Sequence, residues 1–361
     1  LTFDIMQSVV LLLSFFLLIT ARIIQFVTAY DDIDVSIDTR ILISDAITLQ
    51  QQQQPIRRTK SPTKRKKPTR KPTRKLTTPR PRFCPLTLSI EDKRIACTFI
   101  GYSDVTDCLD ATVGYPWGGT IPTQVGVLSK LTNLSMRFVN GTIPSTIGCL
   151  SKLTGLLIGN DITGTIPLTI GLLTKLTTLS MFGQITGSIP NTIGALTLLT
   201  DLSLNSNQLL GTIPSSIGAL IKLTLLDFRS NRLTGTIPTE IGFLTQLTLL
   251  DFGDNKLNGT IPTTIGSLTK LETMFLFTNL LAGKIPSWIG QLTTLSSLQL
   301  SDNQLTGAIP TEIGLLTQLE FLILGDNNLV GEVPNSICPL KGVVDCKEVT
   351  CPPGCCWCSG A

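Results

Sequence analysis

LTDLSLNSNQLLGTIPSSIGALIK, residues Leu199 to Lys222, sets out the plan of most of the chain. Leu202 and Leu204 alternate with polar residues, which places both on one face of a short strand. Asn207 follows where the backbone leaves that strand, and its amide can satisfy the peptide groups of the turn. Pro214 closes a second extended piece, because its ring fixes φ. Ile217, Gly218 and Leu220 then predict a short helical or 3₁₀ return. Such a coil has one apolar side and cannot bury it alone, so neighbouring coils must stack to make a core.

The coil recurs. A Gly-Thr-Ile-Pro or a near variant puts proline at 122, 144, 167, 190, 214, 238, 262, 286, 310 and 334, at intervals of 22, 23 and 23 and then of 24. The turn asparagine returns at Asn231, Asn255, Asn279, Asn303 and Asn327. A fixed period of this length is the signature of a solenoid. Nine strand frames at about 4.8 Å spacing predict a parallel sheet about 40 Å long. The first coils depart from the frame: they are shorter, Asn160 comes one residue early, and changed twist with shifted side-chain directions is expected there.

The repeated Leu-x-x-Leu-x-Leu-x-x-Asn-x-Leu-x-Gly-x-Ile-Pro resembles the leucine-rich repeat. The added Gly-x-Ile-Pro and Ile-Gly-x-Leu resemble its plant extracellular class, found in receptor ectodomains and polygalacturonase inhibitors. The resemblance covers residues 119–337. It implies an α/β solenoid, a right-handed superhelix with short parallel β-strands on the concave face, 3₁₀ or short helical turns on the convex face, and Cys-rich caps. It also implies a recognition role without catalysis. The N-terminal cap pattern of the plant class, with Trp between close cysteines, is absent.

Composition narrows the chemistry. The chain has 361 residues and no histidine, so His-based acid–base catalysis, Ser-His-Asp and Cys-His nucleophiles and His-ligated zinc are excluded. Neither a cofactor nor a metal site is expected. The net charge of +4 hides a division. Thirteen basic residues and no acid lie between Arg57 and Arg82, while the remainder carries 16 basic against 25 acidic residues.

Residues 1–29 read as a secretory signal peptide, apolar from Val9 and ending in Val27-Thr28-Ala29, or alternatively as a membrane anchor. Residues 30–83, acidic, then polyglutamine, then basic and Thr-Pro-rich, read as an unfolded stalk. Its segment 57–82 is expected either to act as a solvated spacer or to hold an anionic polysaccharide or membrane surface. Nucleic acid is not expected, since no aromatics are interleaved to stack on bases. The location read from these features is extracellular, secreted or in the wall, or else anchored at the cell surface.

Ten cysteines suit an oxidising compartment. Cys84, Cys97, Cys108 and Cys149 form one candidate disulfide group, with the first three in an N-terminal cap at 84–118. Cys338, Cys346, Cys351, Cys355, Cys356 and Cys358 form the other, in a C-terminal cap at 338–361. Sequons at Asn133, Asn140 and Asn258 are glycosylation candidates on an exported chain.

The variable positions of the strand frame form three columns on the concave face. From them Asp227, Arg229, Asp251, Phe275, Phe277, Gln299, Phe321 and Ile323 are the candidate ligand-binding residues. The aromatic and apolar members are expected to face solvent, a rare arrangement without a partner. The partner expected there is a protein, peptide or carbohydrate. Three rival readings remain: a structural wall component held through the basic stalk, a lattice binder using threonine columns such as Thr132/Thr154/Thr177 and Thr120/Thr142/Thr165, and an enzyme using Asp227 and Asp251 as paired carboxylates.

Overall fold

The computed structural model describes residues 119–337 in full, and the backbone alone of 113–114, 117–118, 341–344, 349–350 and 357–358. The leader, the stalk, Cys84, Cys97, Cys108 and the side chains of the six C-terminal cysteines lie outside the described residues. Cys149 is disulfide-bonded. No second cysteine is fully described, so its partner lies outside that range.

Each coil has three sides. Among the described residues, the first side is a sheet of twelve parallel strands in chain order. Asp201–Ser203, Leu225–Asp227, Leu249–Asp251, Thr273–Phe275, Ser297–Gln299 and Phe321–Ile323 are its three-residue members. The sheet runs on into the segments expected to cap the solenoid. Val113–Gly114 pairs with the strand at Leu134, Lys341–Val344 pairs with Phe321–Ile323, and Trp357–Cys358 follows.

The second side carries shorter, separate parallel sheets made by the Leu-x-Gly segments, one of three strands that includes Phe138–Thr142 and one of five that includes Thr234–Thr236, Lys256–Gly259 and Leu280–Lys284. The third side is a 3₁₀ turn after every Ile-Pro. Pro214, at φ −71°, leads into Ser215–Ala219, and Ile217 N–H donates to the Pro214 carbonyl at 3.0 Å. The return is thus 3₁₀ in every coil, the tighter of the two forms the sequence allows. Among the described residues no helix is long and apolar enough to cross a membrane.

Leu199, Leu202, Leu204, Leu209, Ile217 and Leu220 are fully buried, and their equivalents in the other coils continue one core. Phe228 and Phe252 take the place of the second strand leucine in adjacent coils, with rings stacked 5.5 Å apart. A second ladder is polar. Asn255 Oδ1 accepts from Leu233 N–H at 2.9 Å, while its Nδ2 donates to the carbonyls of Phe228 at 2.9 Å and of Phe252 and Gly253 at 3.2 Å. Each such asparagine ties its own turn to the preceding coil.

The early coils lack this ladder but keep the main-sheet register, with Asn133 beside Gly155, Gly155 beside Thr178 and Thr178 beside Asp201. Their strands are longer instead, as in Gly155–Ile158 and Thr178–Met181. Asn160 has φ +71°, the left-handed conformation that Ser206, Ser230 and Asp254 adopt in later coils. It therefore serves as the turn residue before the ladder position.

Candidate functional site

Strict parallel pairing makes the concave columns real rows. Asp227, Asp251, Phe275, Gln299 and Ile323 stand side by side on successive strands, and Phe321 lies in the neighbouring row beside Ser297. The strands supply these positions because their alternate residues, Leu226, Leu250, Met274, Leu298 and Leu322, are held in the core.

Phe275, Phe277 and Arg229 form the most organised cluster on this face. The two rings meet edge to face, 6.3 Å between centroids. The Arg229 guanidinium lies over the Phe277 ring at 5.1 Å, in the range of a cation–π contact. The coil between them carries Gly253, and the Phe277 ring lies in the space a side chain there would fill. Phe182 lies across Gly159 in the same manner four coils earlier in the row. Glycine before phenylalanine in this row is a signal the sequence carried and the column reading passed over.

Two expectations need correction. Phe275, Phe277, Phe321 and Ile323 are half-buried rather than fully solvent-facing, and the Phe277 ring lies down over Gly253 of the preceding coil. Asp227 and Asp251 are buried, at 0% and 1% exposure. The Asp227 carboxylate accepts from Asn205 Nδ2 at 2.6 Å and from Arg229 N–H at 3.1 Å, and Asp251 accepts from Gly253 N–H at 2.9 Å. Each carboxylate folds over the turn leaving its own strand. These two residues organise the turns of this face from within. Among the described residues no group of three or more acidic or thiol side chains is placed to hold a metal ion.

The acidic loop at the edge of the sheet has a distinct electrostatic state. Burial, and next the Asp326 charge, raise the Asp302 carboxyl above its ordinary range, against a lowering hydrogen bond from Ser301. A raised folded-state pKa means folding favours the protonated form. The resulting contribution is fully present below about pH 4 and is lost as pH rises through the folded value. Asp302→Asn is expected to raise the melting temperature more at pH 7 than at pH 3.5. An equal gain at both would assign the effect to the left-handed backbone at this position, φ +53°, which asparagine tolerates well.

The threonine columns have internal uses. In the first, Thr154 Oγ1 donates to the Thr132 carbonyl at 2.8 Å and Thr177 Oγ1 to the Thr154 carbonyl at 3.0 Å, with the same bond continuing through Thr200, Thr224 and Thr248. In the second, the short sheets are staggered, so Thr120 pairs with Asn140, Thr142 with Thr163 and Thr236 with Asn258. Those threonines do not align as a straight file. Large exposed apolar residues also lie off the concave face, including Leu168, Ile221 and Phe243 on or beside the 3₁₀ turns. The sequence reading did not single these out.

The Leucine Rich Repeat family matches residues 198–220, 222–244, 246–268, 294–316 and 318–340. The matches pass over the coil that carries Phe275 and Phe277. Among solved structures, the chain is similar to the plant peptide hormone receptor RGFR1, solved in complex with RGF2. Identity is 34%, over 65% of this chain and 42% of that one, with a TM-score of 0.57. It is similar as well to a TDR receptor, at 31% identity over 65% of this chain and 42% of that one, with a TM-score of 0.61. The chain thus spans 42% of the length of each of these receptor chains. A plant ice-binding protein shares the fold at 23% identity, over 75% of this chain and 98% of that one, with a TM-score of 0.50. No curated protein matches.

Proposed function

Because the chain is a leucine-rich repeat solenoid of the kind seen in plant receptor ectodomains, we propose that it is an extracellular, non-enzymatic recognition protein. Its concave face takes an extended protein or peptide segment. The observation that carries this reading is the Arg229–Phe277–Phe275 cluster, which continues along one row through Gln299 to Ile323. Such a cluster is ordered before a ligand arrives, so little side-chain entropy remains to be lost on binding. The half-buried rings offer apolar surface, and Arg229 offers a charge for a polar or acidic group beside it.

The likeness to RGFR1, a plant peptide hormone receptor, supports a peptide over a carbohydrate. The cationic segment 57–82, with 13 basic residues and no acid, supports attachment to an anionic surface as a separate function. Retention of the full chain on acidic polysaccharide that salt does not reverse would contradict that second role.

A displayed peptide library panned against the full chain tests the first role. Phe275→Ala/Phe277→Ala is expected to lower recovery of enriched peptides more than tenfold, while Phe243→Ser, on a 3₁₀ turn, leaves it unchanged. Matched melting curves must show both variants folded. Equal recovery by the wild type and the double variant would remove the concave cluster as the site.

A further inference from the structure

The structure assigns Asn140 and Asn258, and not Asn133, as the positions that carry N-linked glycans. This rests on the extracellular reading above.

The asparagines near the turns and strands fall into two kinds. The ladder residues Asn207, Asn231, Asn255, Asn279 and Asn303 are buried, and their amides are consumed by backbone bonds on two coils. Asn140 and Asn258 are exposed, on the outward side of the three-stranded and the five-stranded short sheet respectively, while the adjacent Val139 and Leu257 are buried in the core. Both lie in the same triplet, Asn-Gly-Thr, in strands Phe138–Thr142 and Lys256–Gly259. The central glycines share one backbone state, φ +77° at Gly141 and +74° at Gly259. Both asparagines stand opposite a threonine of the preceding coil, Thr120 and Thr236. In each triplet the threonine, Thr142 or Thr260, is also exposed. Two exposed sites with the same triplet, the same glycine backbone and a threonine opposite can therefore hold a branched sugar in solvent without moving a core residue.

Asn133 differs. It opens the main-sheet strand Asn133–Met136, and its carboxamide rests on the backbone of Gly155, within 3.1 to 3.2 Å of where a side chain there would begin. A glycan at this position would have to lift off Gly155 and stand in the concave face. Transfer to the chain comes before folding is complete, so the folded coil acts by selecting which modified chains mature. The consequence is geometric. Both sugars sit on the side of the solenoid away from the Phe275–Phe277 row, and they leave the concave face clear for a ligand.

The test uses the full chain secreted from a eukaryotic host behind a foreign cleavable signal, so that the export reading is not itself at stake. A parallel culture with the chain's own N-terminus tests export separately. Enzymatic deglycosylation in ¹⁸O-water, followed by peptide mapping, marks each occupied asparagine as a labelled aspartate, and label found in an enzyme-free control, from spontaneous deamidation of the two Asn-Gly pairs, is subtracted. The secreted protein is expected to carry the label at Asn140 and Asn258 in most copies and at Asn133 in few. Asn140→Gln and Thr260→Ala should each remove one glycan from the intact mass. Label at Asn133 equal to the other two, or a bare Asn140 or Asn258, would overturn the assignment.

Discussion

Asn255→Leu is expected to cost about 3 kcal/mol of stability. Asn255 is 8% exposed, so the groups it serves have no water to turn to. The leucine would leave Leu233 N–H without an acceptor and the carbonyls of Phe228, Phe252 and Gly253 without the amide that joins them. It would also set a branched apolar side chain where a flat amide now fits. In a one-dimensional array each coil is stabilised by its neighbours, so a fault in the middle divides the molecule. Urea unfolding should show an earlier transition, and hydrogen exchange should rise first in the coils on either side of Asn255. Asn327, toward the end of the same ladder, makes equivalent bonds to Leu300, Leu324 and Gly325 and serves as the position control. A uniform small loss at both sites would mean that the ladder adds little beyond ordinary surface polarity.

Gly242→Val is expected to cost about 2–3 kcal/mol by overpacking. Gly242 lies in the turn Thr239–Phe243, and a Cβ there would approach both the carbonyl oxygen and Cβ of Thr264 at 2.6 Å. The carbonyl belongs to the backbone of the next turn and cannot swing aside as a long side chain would. The coils must part on their 3₁₀ side, and the curvature of the sheet opposite changes with them. Gly242→Ala should show the same direction with a smaller loss. A stable Gly242→Val protein with unchanged unfolding would show that turn spacing is set elsewhere.

Much of this fold is legible before any coordinates. The Leu202–Leu204 alternation, Asn207 and the Ile213-Pro214 step each name a local geometry, and the fixed period carries it from coil to coil. Stacking then follows because a single coil has nowhere to hide its leucines. The concave rows could be written down for the same reason, and the strand pairing keeps them.

What the pattern could not show is which way a side chain leans after it leaves the sheet. Asp227 and Asp251 occupy outward positions, yet both bend over to cap the following turn. Phe277 occupies an outward position and lies flat because its neighbour is Gly253. Alternation fixes the face of the sheet, whereas exposure depends on the size of the residue one coil away. The stagger of the short sheets was hidden for a related reason. Leucine alternation fixes the main-sheet register alone, and the shorter strands of the second side pair with an offset that the repeat length does not state.

Photocrosslinking from a benzoylphenylalanine placed at Phe277, compared with one placed at Phe243, tests the concave-face account most directly. With peptides enriched on the wild-type chain, crosslinks are expected from 277 and not from 243, and excess unlabelled peptide should suppress them. Crosslinks from 243 with none from 277 would put the ligand on the turns and contradict the account.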